Sequence, residues 1–285
     1  MAFDTKLKQW TSLGLGTVLM TGALAGCSEP ATPADPPAAE VSDSHADADP
    51  AAETAPDAAG LATEGGEGEG GVTIEAAYTD PVVYKSALAI AAAHVLAARD
   101  AYAEGKNEAA AEMYAHPVSE VLFDMEPVFA AQGVADFTNL FSDTSAAVFA
   151  GESQDEINER TDEILAALNK AAESAPETDL SDAMVIASVA SDQIDRAADM
   201  YLLSLDSDFY ETYLDGYGFY KAAELTFSNN EPAIEAENAA AADAIRAALT
   251  LLADAYPSAL RPETLDSDAS ALAVAASEIQ LELSQ

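Results

Sequence analysis

The chain has 285 residues, of which 51 are Asp or Glu and 11 are Lys or Arg, giving a formal net charge of −40. A surface this negative repels phosphates, so we expect neither a nucleic-acid partner nor flat contact with an anionic membrane. The acidity suits either a store of cations or simple solubility, because hydrated carboxylates keep protein molecules apart.

The first 26 residues have the pattern of a secretory signal. Lys6 and Lys8 precede a short apolar stretch over residues 13–24, whereas a membrane-spanning helix needs about 20 apolar residues. The stretch ends in Leu24-Ala25-Gly26-Cys27, which resembles the lipobox of bacterial lipoproteins. The resemblance implies cleavage before Cys27, with diacylglycerol on its sulfur and an acyl chain on its new amino group.

This resemblance also implies where the protein works. Several acyl chains give stable anchoring, so the predicted place is the periplasmic side of the cell envelope, with the membrane contacted through the lipid alone. Ser28 after the cysteine favours the outer membrane over the inner one. The alternative is a plain secretory signal in which Cys27 is an ordinary thiol.

Residues 27–75 are predicted to be a disordered tether. They are rich in Ala, Pro, Asp, Glu and Gly, contain no Lys or Arg, and have few large apolar residues. Such a segment buries too little apolar surface to offset the entropy that ordering costs. The predicted folded domain is therefore 76–285.

Residues 76–285 predict an all-α fold, an antiparallel bundle of about eight or nine helices. Alanine is frequent, and apolar residues recur at spacings of three and four. Asp80-Pro81 and the Ser153/Glu156 capping box mark helix starts, as does His116 before Pro117. The predicted helices are 81–104, 107–115, 117–131, 134–149, 153–173, 180–205, 208–227, 231–255 and 268–283. Residues 92–114 resemble one tetratricopeptide unit, but no 34-residue repeat follows.

The sequence contains no pattern typical of an enzyme. It has no glycine-rich phosphate loop, nucleophile elbow, paired-histidine zinc helix or dinucleotide fingerprint. The predicted domain has two histidines and no cysteine, so few groups could act as a general base or thiol nucleophile at neutral pH. We expect a non-enzymatic protein that binds an envelope partner or a small ligand.

One group of residues suggests a metal site, and so a transition-metal ion such as iron as the cofactor. His116, Glu120 and Asp124 follow one another at spacings of four, and His94 lies on the preceding predicted helix. Imidazoles with carboxylates suit Fe, Zn, Cu or Mn, and helical bundles hold such sites in their cores. In the alternative interpretation His116 caps a helix, Glu120 binds first-turn amides, and His94 fills a gap on an alanine face.

Four tyrosines suggest a ligand groove or aromatic core packing. Tyr210, Tyr213, Tyr217 and Tyr220 recur at spacings of three and four, with Gly216 and Gly218 between them. Each glycine costs a helix about 1 kcal/mol, so close packing or a ligand should compensate. The run Tyr-Leu-Asp-Gly-Tyr-Gly-Phe within this stretch resembles periplasmic helical proteins encoded with iron permeases.

Overall fold

The computed structural model describes residues 71–285, so Cys27, the lipobox and most of the predicted tether lie outside them. In residues 71–285 all the regular secondary structure is helical, as the sequence predicts. A π-helical turn, Val118–Leu122, joins α3 to α4. The α-helices are α1 (Ile74–Ala77), α2 (Pro81–Ala103), α3 (Asn107–Pro117), α4 (Phe123–Ala131), α5 (Asn139–Ala150), α6 (Gln154–Ala172), α7 (Asp182–Asp206), α8 (Tyr210–Glu237), α9 (Ala239–Ala255) and α10 (Ala269–Leu283).

Local sequence signals fix several helix ends. The Asp80 carboxylate accepts a hydrogen bond from the Val82 amide at 2.8 Å, with Pro81 as the first residue of α2. Ser153 and Glu156 form the reciprocal capping box that opens α6. Gly151 ends α5 with φ +74°, a left-handed conformation that glycine adopts without a Cβ penalty. These helix ends were predictable because each depends on only a few adjacent residues.

Helix α2 lies at the centre of the domain and packs against α3, α6, α7 and α8. In the part of the chain that the structure describes, it is also the one helix long and apolar enough to cross a membrane. However, 72% of its most apolar window is buried inside the domain. Its apolar character is therefore explained by its place in the core.

Helices α7 to α10 form a four-helix unit beside α2. Helix α7 packs against α8, α9 and α10, and α8 packs on α2 as well as on α7 and α9. Short connections between consecutive helices favour antiparallel packing. Because α8 contacts both α2 and α7, it links the four-helix unit to the first half of the domain.

The predicted helix break at Asn230 is wrong, since α8 runs on through Pro232 to Glu237. Pro232 is exposed and removes one backbone donor, while the side-chain Nδ2 of Asn230 donates to the Thr226 carbonyl at 2.8 Å. Fully buried Ile234 anchors the last turn in the core. The break comes instead at Asn238, whose side chain accepts from the Ala241 amide and caps α9.

The predicted start of the third helix at His116 is also wrong. His116 and Pro117 are the last two residues of α3, and the chain continues through the π-helical turn into α4. Pro127 lies inside α4, which runs on to Ala131 as predicted. Helix α5 begins later than predicted, because the Asp136 side chain accepts hydrogen bonds from the amide and hydroxyl of Thr138 in a turn before the helix.

Candidate metal centre

The structure brings three of the four predicted metal ligands together. His94, His116 and Glu120 each offer one ligand atom, and these atoms all lie within 4.8 Å of one another. His94 Nε2 is 3.3 Å from Glu120 Oε2, and His116 Nδ1 is 3.6 Å from Glu120 Oε1. Two ligand atoms that each lie about 2.1 Å from one ion can be at most about 4.2 Å apart. Shifts of a few tenths of an ångström in these side chains would therefore bring all three ligand atoms within bonding distance of one ion.

His94 is positioned by its own helix. Its ring is 1% exposed in the middle of α2, and Nδ1 lies 2.9 Å from the Ile90 carbonyl one turn earlier. Of the two neutral tautomers of His94, that carbonyl favours the one with the proton on Nδ1. In this tautomer the lone pair of Nε2 faces His116 and Glu120. Histidines that bind metals commonly donate their other N–H to such a partner.

Glu120 is positioned by the π-helical turn. This turn widens the backbone immediately after Pro117 and places Glu120 beside both imidazoles. Single π-helical turns within helical segments are frequent at functional sites. Asp124, the fourth predicted ligand, lies beyond the turn in α4, is exposed, and is not part of the group.

A carboxylate from another helix joins the site. Asp215 on α8 is 4% exposed, and its Oδ1 lies 3.8 Å from His94 Nε2. Helix α8 approaches α2 so closely that a Cβ on Gly218 would lie 2.5 Å from the Ala93 carbonyl oxygen. Gly218 therefore lets α8 bring Asp215 next to His94.

Sequence reasoning missed Asp215, although its neighbours carried a signal. A Cβ on Gly216 would lie 1.9 Å from the Tyr256 hydroxyl, so both glycines beside this carboxylate are required by close packing. Two such glycines within a helix indicate that another element lies against that face. Which helix it is depends on tertiary packing.

Within the described chain, the facing atoms of the cluster approach one another in charged contacts of 3.3 and 3.6 Å, but these contacts lack the geometry of a hydrogen bond. His94 Nε2, His116 Nδ1 and Glu120 Oε2 are all buried, and none has a hydrogen bond of acceptable geometry. Buried polar atoms are nearly always paired, and each unpaired one costs free energy. A cation between these atoms would satisfy all three, so this donor set suits a metal ion.

Electrostatics couple the histidine and the carboxylates. Burial lowers the pKa of His94, but the contact with Glu120, the charge of Asp215 and the Ile90 carbonyl outweigh burial and raise the pKa above its usual value. Burial raises the pKa of Glu120, but His94 and His116 outweigh this and lower it. Without a metal, His94 and Glu120 therefore each favour the charged form of the other. A metal ion that binds His94 Nε2 must displace a proton wherever that nitrogen is protonated.

The cluster is reachable from outside. The side chain of His94 is 1% exposed, whereas those of His116 and Glu120 are 32% and 25% exposed. The exposed edges of His116 and Glu120 give an ion a path to the buried His94 nitrogen.

The four tyrosines of the predicted groove pack with their hydroxyls bonded. Tyr210 and Tyr213 donate to the carbonyls of Ala259 and Ser258 at 2.8 and 2.9 Å. Tyr217 donates to the Asp100 carboxylate at 2.7 Å, and Tyr220 donates to Glu224 at 3.1 Å. Tyr213, Tyr217 and Tyr220 are at most 7% exposed. Their arrangement is that of aromatic core packing.

Comparison with known protein families gives a match in the C-terminal part of the chain. Residues 211–285 match the family model of the iron permease-associated 4-helix bundle domain. No curated protein and no solved structure matches the chain. The matched segment comprises nearly all of α8 together with α9 and α10. It includes Asp215 and agrees with the sequence resemblance noted for Tyr213–Phe219, while His94, His116 and Glu120 lie before it.

Proposed function

We propose that this protein is a non-enzymatic metal-binding module that holds a transition-metal ion, foremost iron, and serves iron transport at the cell envelope. One observation carries the proposal: His94, His116 and Glu120 place their ligand atoms within 4.8 Å of one another. The match of residues 211–285 to an iron permease-associated domain favours iron over the other metals that this donor set accepts.

The donor set decides the class of metal. Two imidazoles with one or two carboxylates suit Fe, Zn, Cu or Mn, whereas Mg and Ca prefer oxygen ligands alone. His94 and Glu120 would bind the ion directly, and His116 would complete the set from the exposed side. Asp215 would add a buried negative charge or a fourth ligand, 3.8 Å from the nitrogen of His94.

The proposed setting follows from the N-terminal sequence. A lipidated Cys27 would anchor the chain to the periplasmic side of the envelope, with the outer membrane favoured, and residues 28–75 would hold the helical domain away from the bilayer. The strongly negative surface attracts cations from solution. A lipid-anchored module of this kind would bind the metal and present it to a membrane protein partner.

Metal titration of the purified protein tests this proposal. Protein stripped with chelator is titrated with Fe(II) under anaerobic conditions, and with Zn(II), while calorimetry and elemental analysis report affinity and metal content. We expect one ion per chain and a raised melting temperature. Weak, salt-sensitive binding of many ions would instead assign the acidity to solubility and contradict the proposed site.

Variants separate the site from the general acidity. His116→Gln, Glu120→Gln and Asp215→Asn should each weaken binding at least tenfold. Asp124→Asn is the matched control, because it removes one exposed carboxylate from the same segment without touching the group. If His116 and Glu120 bind the same ion, the double variant His116→Gln/Glu120→Gln should lose less metal-binding free energy than the sum of the two single losses. Undiminished binding by His116→Gln would refute the site.

A further inference from the structure

A cavity lies against another part of α2, away from the metal centre. It has a volume of about 240 Å³ and is lined by residues of α2, α6, α7 and α8. Its wall is mainly apolar, with Leu88, Leu165, Leu168, Ile186 and Val189 among the lining residues. None of the four residues of the metal centre lines it, so a ligand in this cavity is independent of the proposed function.

The polar residues on this wall include an ammonium group. Lys85, Asn169 and Asn229 line the cavity, and Lys85 is half-buried. Small-molecule sites typically have this composition, an apolar wall with a few polar groups that fix the ligand's orientation.

Lys85 differs from the other basic residues of the domain. Residues 71–285 contain nine lysines and arginines, and eight of them have an ion pair, a hydrogen bond or a ring contact. For Lys85 no such contact is found within the described residues. In a chain with a net charge of −40, carboxylates are abundant, yet within residues 71–285 none forms an ion pair with this ammonium group. An anionic ligand would supply the missing charge.

We propose that this cavity binds a small amphipathic monocarboxylate. Its carboxylate would pair with Lys85 and accept hydrogen bonds from the amides of Asn169 and Asn229, and its apolar body would lie against the leucine wall. One ammonium group matches one negative charge. At about 30 Å³ for each water-sized group, the cavity holds about eight non-hydrogen atoms, the size of a six-carbon acid.

Calorimetric titration of the full chain with hexanoate tests the proposal. We expect saturable one-to-one binding, and each methylene added from butanoate to hexanoate should tighten it about fourfold. Hexanol and hexylamine, which have the same tail without the negative charge, should bind at least tenfold more weakly. Lack of saturation by hexanoate, or equal binding of hexanol, would overturn the proposal.

Two variants and a control locate the site. Lys85→Gln should weaken hexanoate binding at least tenfold while leaving metal binding unchanged. Ala89→Leu, which adds bulk to a partly exposed lining residue, should weaken hexanoate more than butanoate. Lys170→Gln is the matched control, because Lys170 follows Asn169 but is largely exposed and pairs with Glu173. Equal hexanoate affinity in Lys85→Gln and Lys170→Gln would place the binding elsewhere.

Discussion

Replacing Gly218 by alanine should destabilise the protein, although the same change at most helix positions stabilises. An alanine in a helix interior is favoured over glycine by about 1 kcal/mol. At Gly218 the added Cβ would lie 2.5 Å from the Ala93 carbonyl oxygen and 3.0 Å from the Ala97 Cβ. Overpacking costs about 1–3 kcal/mol, and the upper end applies because the nearest atom is backbone. The free energy of unfolding should therefore fall by about 2 kcal/mol.

Thermal unfolding followed by circular dichroism would measure this effect. For a domain of this size, about 2 kcal/mol corresponds to a fall in melting temperature of about 4–8 °C. Metal affinity should also drop, because α8 must move away from α2 and carry Asp215 away from His94. Ser228→Ala, at an exposed position of the same helix, is the control and should be neutral or slightly stabilising. A Gly218→Ala protein as stable as this control would refute the close approach of α8 to α2.

Three further predictions concern the start of α9 and the titration of His94 and Glu120. Asn238→Ala should lower the free energy of unfolding by about 1 kcal/mol in urea denaturation, because the first turn of α9 loses its cap. Metal affinity should rise about tenfold per pH unit up to the raised pKa of His94, since each ion displaces one proton; a flat calorimetric profile would contradict this. Without metal, the ionised Glu120 contributes to the free energy of unfolding above pH 4.5, and this contribution is lost as pH falls through its lowered pKa. The protonated His94 contributes below pH 6.5, and this contribution is lost as pH rises through its raised pKa. Thermal melts from pH 4 to 9 should therefore show the highest melting temperature between pH 4.5 and pH 6.5. Glu120→Gln should flatten this dependence of the melting temperature on pH.

The helical fold could be predicted because its signals are local. Caps such as Ser153 and the apolar spacing of each helix act over a few residues, and the structure has helices where these signals occur. Two of the exceptions involve proline. Pro117 and Pro232 both resemble points where a helix starts or ends, yet Pro232 lies inside α8, and Pro117 is the last residue of α3, from which the chain continues into the π-helical turn. Each proline removes one backbone hydrogen bond. In α8, fully buried Ile234 anchors the turn that follows Pro232.

Part of the metal centre could be predicted for the same reason. His116 and Glu120 are four residues apart, so their proximity follows from helical geometry. Asp124 was expected on the same line, but the π-helical turn at Val118–Leu122 inserts about one extra residue and rotates the residues after it by roughly 100°. That rotation accounts for the exposed position of Asp124, and the sequence gives no signal that the turn is π-helical.

Asp215 could not be predicted, because its place depends on how two distant helices pack. The same packing explains why α8 contains glycines. Gly216 and Gly218 each weaken the helix by about 1 kcal/mol relative to alanine, and no turn or positive φ requires them. They allow α8 to contact both Tyr256 and the backbone of α2, and this contact holds a buried carboxylate beside His94. Gly216 and Gly218 weaken α8 locally, but they let α8 pack against α2, the helix that carries His94. Residues 211–285, which match the iron permease-associated domain, thereby reach the metal centre through α8.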